Sequence, residues 1–68
     1  MSAVKLSANL SEEVVQVLRE LAQRRGTTMT DVLRHAISLE KFFQDEIDAG
    51  GKVLVEDRNK DVRQVLLL

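Results

Sequence analysis

From Lys5 to Leu10 the chain alternates strictly, with Leu6, Ala8 and Leu10 on one side and Lys5, Ser7 and Asn9 on the other. Successive side chains of a strand point to opposite faces, so the pattern predicts a strand with one apolar face and one hydrogen-bonding face. A lone strand does not persist in water and needs a neighbour to pair with. None follows directly, because the chain runs straight into residues of helical periodicity. The simplest partner is the same segment of a second copy.

Size points the same way. A chain of 68 residues makes one domain at most, near the lower limit for a self-sufficient core. Chains this small gain stability from disulfides, a bound metal or oligomerisation. This one has no Cys and a single His, His35, which excludes disulfides, thiolate sites and a histidine metal cluster. No metal and no cofactor is expected, and oligomerisation is what remains. No apolar run approaches a membrane span and residues 1–15 lack a signal-peptide pattern, so the expectation is a soluble cytoplasmic protein.

Ser11 has the chemistry of a helix N-cap, and Glu12 and Glu13 suit the positive end of a helix. Val14, Val17, Leu18, Leu21 and Ala22 then recur at three- and four-residue spacing as one apolar stripe. Arg24 and Arg25 fit the last turn, and Gly26 can take the left-handed conformation that closes a helix. The first helix is therefore predicted from about Glu12 to Arg25. Thr28 with Asp31 three positions on resembles a capping box with a shortened acid, so a second helix should begin near Met29. Its apolar positions, Met29, Val32, Leu33, Ala36, Ile37, Leu39, Phe43 and Ile47, are spread widely enough to be covered on more than one side. Such a helix belongs at the centre of an oligomer. Gly50-Gly51 should end it.

Beyond the glycines, Val53-Leu54-Val55 and Val62 to Leu68 are β-type runs flanking the polar stretch Glu56 to Asp61, which predicts a β-hairpin. The chain then divides into residues 1–49 and a C-terminal hairpin extension, 50–68. The closing Leu66-Leu67-Leu68 is aggregation-prone unless covered.

Strand, short helix, Gly-Thr-Thr link and second helix, within residues 3–48, resemble the ribbon-helix-helix DNA-binding proteins, the class that includes Arc, MetJ and CopG-type repressors. The residues that carry the likeness are Lys5-Leu6-Ser7-Ala8-Asn9-Leu10-Ser11 and Gly26-Thr27-Thr28-Met29-Thr30-Asp31-Val32. The resemblance implies a mainly α, β-α-α fold in which two chains intertwine and pair their first strands into an antiparallel ribbon. It implies that the ribbon enters a DNA major groove and reads bases through Lys5, Ser7 and Asn9. It further implies that the start of the second helix, at Thr28, Met29 and Thr30, anchors a phosphate. The chemistry is consistent with this: Lys, Ser and Asn match base-edge acceptors and donors, and helix N-termini attract anions.

Each of these residues also has a plainer reading. Lys5, Ser7 and Asn9 would serve equally as a solvated strand face, and Thr28 and Thr30 as helix caps. Arg24, Arg25 and Arg34 read as solvated charges, His35 as a helix-surface residue, and Phe42 and Phe43 as packing. The net charge of −1 is low for a DNA binder, since phosphate neutralisation carries much of the affinity. It is uneven, however: residues 1–35 hold five Lys/Arg against four acids (+1), and residues 36–68 hold five against seven (−2). No base stands beside a Ser or Thr nucleophile, and Gly50-Gly51 lacks the Lys-Ser/Thr of a nucleotide loop, so no enzyme is expected. The expectation is a sequence-specific transcriptional repressor binding double-stranded DNA as a homodimer or dimer of dimers. The alternatives are an autoregulating antitoxin that binds a toxin through residues 50–68, and a dimeric interaction adaptor that does not bind DNA.

Overall fold

A computed structural model of the chain describes residues 3–66. Its elements are helix α1 (Glu12–Arg25), helix α2 (Met29–Asp48), strand β1 (Val53–Glu56) and strand β2 (Val62–Val65). The chain divides into two compact units between Arg34 and His35, inside α2.

In the first unit, residues 3–10 form no helix or strand. This corrects the expected strand over Lys5–Leu10. The reason lies in strand physics: a strand's N–H and C=O groups find their partners on a neighbouring strand, and among the described residues none pairs with this segment. Its apolar side chains are open, with Val4 90%, Leu6 87% and Leu10 45% exposed.

α1 forms as its sequence dictates. The Ser11 hydroxyl accepts from the Val14 N–H at 3.2 Å, and Glu12 and Glu13 occupy the first turn. At the other end Gly26 sits at φ 65°, ψ 38°. The Thr27 N–H donates to the Ala22 carbonyl (2.9 Å) and the Gly26 N–H to Gln23 (3.2 Å), which is the paired closure of a Schellman cap. Of the apolar stripe on α1, only Leu18 and Ala22 are buried; they meet Val32, with Met29 packed alongside. Val14, Val17 and Leu21 stay 50%, 53% and 37% exposed. The start of α2 therefore covers two of the five stripe residues and leaves three open.

The second unit holds the rest of α2 and the hairpin. α2 was expected to be covered on several sides, yet along this stretch Ile37, Leu39 and Phe42 are exposed, and Phe43 and Ile47 are half-buried. Single-chain packing does not bury this helix. It closes as α1 does, with the Gly51 N–H on the Glu46 carbonyl (2.8 Å) and the Gly50 N–H on Ile47 (2.9 Å). Gly51 is held to its identity by space, since a Cβ there would lie 2.9 Å from the Glu46 carbonyl oxygen.

β1 and β2 pair antiparallel in the register Val53–Val65, Leu54–Gln64, Val55–Arg63 and Glu56–Val62. Asp57 builds the turn. Its carboxylate accepts from the Asn59 N–H (2.8 Å) and the Asp61 N–H (3.0 Å), while its own N–H donates to the Asp61 carbonyl (2.9 Å). Lys60 takes the left-handed conformation, φ 67°, as the residue after a tight turn does in a short bulged hairpin. The expected hairpin is present, with β1 one residue longer than Val53–Val55 and β2 shorter than the run from Val62 to Leu68, since it ends at Val65 and Leu66 lies outside it. Leu67 and Leu68 lie outside the described residues.

Candidate nucleic-acid interface

Lys5, Ser7 and Asn9 are all exposed, and no hydrogen bond or ion pair within the described residues restrains their side chains. Sequence alternation sets them opposite Leu6, Ala8 and Leu10 wherever the segment is extended. Ser11, which ends it, has extended backbone (φ −67°, ψ 160°) and fixes where the segment leaves α1.

Thr28, Met29 and Thr30 stand at the start of α2, as expected. The Thr28 hydroxyl accepts from the Asp31 N–H at 3.1 Å, and the Val32 N–H reaches the Thr28 carbonyl at 3.1 Å. The N–H groups of Met29 and Thr30 are the ones a helix start leaves without an intrahelical acceptor. Half of the expected capping box forms. The return arm differs: the Asp31 carboxylate accepts from the Thr27 hydroxyl at 2.8 Å and pairs with Arg34 at 2.9 Å. Aspartate is one methylene shorter than the glutamate that normally reaches back to the cap, so it takes nearer donors.

These contacts hold the Asp31 carboxyl below its ordinary pKa. The Thr27 hydroxyl contributes most and burial opposes it, with Arg34, the Thr28 contact and Arg25 adding to the lowering. The mouth of α2 thus carries two cations, Arg25 and Arg34, acting on one carboxylate. The Asp31–Arg34 pair is exposed, its side chains 48% and 73% accessible, so it orients the two groups more than it stabilises them. Arg34 as the partner of Asp31 was not foreseen in the sequence. The three-residue spacing of opposite charges on one helix was the available signal.

The open hollow beside α1, about 590 Å³, is lined by Leu10, Glu12, Glu13, Val15, Gln16 and Arg19. Its two glutamates repel phosphate, and none of the six expected contact residues lines it. In the second unit Phe42 and Phe43 meet edge-on, with centroids 6.1 Å apart. They border a shallow hollow of about 390 Å³ with Glu46, Lys52, Val53 and Leu54. His35 is exposed on α2. Among the described residues no helix is long and apolar enough to cross a membrane, and no group of three or more acids or histidines could hold a metal ion.

No protein-family model, curated protein or solved structure matches the chain.

Proposed function

We propose that the chain is a sequence-specific, DNA-binding transcriptional repressor that acts as a dimer. One observation carries the reading: Val4, Leu6 and Leu10 lie uncovered, 90%, 87% and 45% exposed, in a segment whose alternation would set them opposite Lys5, Ser7 and Asn9 once it is extended. Two such segments paired antiparallel satisfy each other's backbone groups and turn Val4, Leu6 and Leu10 inward. Six apolar side chains at about 1.5–3 kcal/mol each yield roughly 9–18 kcal/mol, comparable with or above the association cost of about 4–15 kcal/mol. Apolar burial is thus of the size that association requires, and the ribbon's backbone hydrogen bonds add to it.

The same pairing directs Lys5, Ser7 and Asn9 of both chains outward on a two-stranded ribbon, a shape that the major groove admits. Lysine suits guanine O6 and N7, and asparagine suits adenine by a bidentate contact. The start of α2 meets a backbone phosphate through the Met29 and Thr30 N–H groups, with Thr28 and Thr30 hydroxyls beside them. Arg25 and Arg34 supply positive potential there, and the Asp31 carboxylate is already engaged by Thr27 and Arg34.

Gel shift on the DNA upstream of its own gene, across a range of salt concentrations, tests the reading. A binder that neutralises several phosphates loses affinity linearly on a log–log plot, with a slope of about −0.9 per phosphate. Absence of binding at low salt, or affinity indifferent to salt, would favour the adaptor reading. Recovery of a stable complex with the product of an adjacent gene would make the antitoxin reading the better one.

A further inference from the structure

We infer that the outer edge of β1 is a self-pairing surface, joining the hairpins of two copies into one four-stranded antiparallel sheet. The inference stands apart from the DNA-binding reading, because it uses only residues of the hairpin.

The ladder settles which groups are free. Asp57 bonds to Asp61 across the closing pair of the hairpin. Antiparallel pairs alternate between bonded and unbonded, so Val55–Arg63 and Val53–Val65 are bonded pairs in step with it. The backbone groups of Lys52, Leu54 and Glu56 therefore point away from β2. Among the described residues no hydrogen bond reaches that edge. A two-stranded hairpin is marginal in water and gains independent stability from a third strand. Such an edge invites pairing unless it is blocked.

Side chains choose the partner. Two copies of β1 related by a two-fold axis through Leu54 oppose Leu54 to Leu54, Val53 to Val55 and Lys52 to Glu56. Each of the unlike pairs then occurs twice. Like pairs with like in hydropathy, and opposite charges meet at both ends. Residues 52, 54 and 56 share one face and residues 53 and 55 the other, so every opposed pair lies on a common face. Leu54 and Val55 are 55% and 42% exposed and open to such a contact.

Neighbouring registers fail. An axis through Val55 sets Leu54 against Glu56, and one through Val53 sets Lys52 against Leu54. The β2 edge is poorer: an axis through Arg63 opposes two arginines, and one through Gln64 sets Arg63 against Val65. Of the registers compared, the Leu54-centred arrangement of β1 is the one complementary to itself in both charge and hydropathy.

Four variants of the full chain test this. Opposed residues in a bonded antiparallel pair lie about 5.5 Å apart at Cα, within reach of a disulfide. The cysteine-free chain carrying Leu54→Cys should oxidise to a covalent dimer on a denaturing gel, while Gln64→Cys on the other strand should remain a single chain. Equal crosslinking at both positions, or none at 54, overturns the proposal. Lys52→Glu sets like charges against each other at both ends of the contact. It should weaken self-association by roughly tenfold, and the double exchange Lys52→Glu with Glu56→Lys should restore it. Failure of the exchange to restore association also overturns the proposal. Mass by analytical ultracentrifugation reads the association: loss of the larger species in Lys52→Glu, regained in the double exchange, supports the proposal, and a mass unchanged by Lys52→Glu overturns it.

Discussion

Two stretches of this molecule read as β structure in the sequence, and only one of them forms strands. Residues 53–65 pair because Asp57 folds the chain back and presents β2 to β1 within a few residues. Residues 5–10 alternate strictly but lead into a capped helix, and among the described residues no strand pairs with them. Strand structure belongs to a pair of segments. Alternation specifies which face is apolar, and a partner decides whether the strand exists. In the arrangements proposed, a second copy gives the hairpin a third strand and gives the N-terminal segment its first neighbour.

The strongest way to break this contrast is to make the N-terminal segment unable to pair. Leu6→Asp removes an apolar side chain from both copies of a ribbon, at about 3–6 kcal/mol per dimer. We expect a monomer at concentrations where the parent is dimeric, by light scattering. An unchanged dimer would locate the interface elsewhere. On the polar side of the same segment, Lys5→Ala and Asn9→Ala should each weaken specific binding by about 1–3 kcal/mol while leaving the dimer intact. Fluorescence anisotropy with operator and with scrambled DNA reads this, and equal loss on both would mean that the side chains contact backbone and not bases.

The hairpin half of the contrast rests on its turn. Asp57→Ala removes an acceptor shared by two backbone N–H groups and should cost about 1–2 kcal/mol. That is enough to unzip so small a sheet, and amide exchange at residues 53–56 and 62–65 should rise while α1 remains protected. Protection unchanged in the strands would show the hairpin held by something other than its turn. Lys60→Gly should act oppositely, relieving a left-handed residue and stabilising the hairpin by up to about 1 kcal/mol.

The smallest effect concerns Asp31. Its folded pKa is lowered, chiefly by the Thr27 hydroxyl. The stability it contributes is therefore present above the unfolded carboxylate pKa and is lost as pH falls through the folded value. Melting temperature should decline over that acidic window, and Asp31→Asn should flatten the decline. If both chains follow the same curve, other carboxylates govern acid sensitivity.

Residues near one another in sequence made much of this molecule legible. Ser11, Gly26 and Gly50-Gly51 mark helix ends because caps are satisfied within one turn, and the observed bounds of α1 agree with that reading. The hairpin was legible for the same reason, its partner strand being five residues away. At the candidate interface, the positions of Thr28, Met29 and Thr30 at a helix start followed from spacing. The diversion of Asp31 to Thr27 and Arg34 did not, since it depends on how far a short carboxylate reaches.

What the sequence determined by itself was every feature closed by local hydrogen bonds: two capped helices, a turn, and which face of each segment is apolar. What only tertiary structure decided was which of those apolar faces find cover. Leu18, Ala22 and Val32 meet, whereas Val17, Ile37 and Phe42 remain open. Burial depends on what packs against a surface, and periodicity along one chain records the surface without its partner.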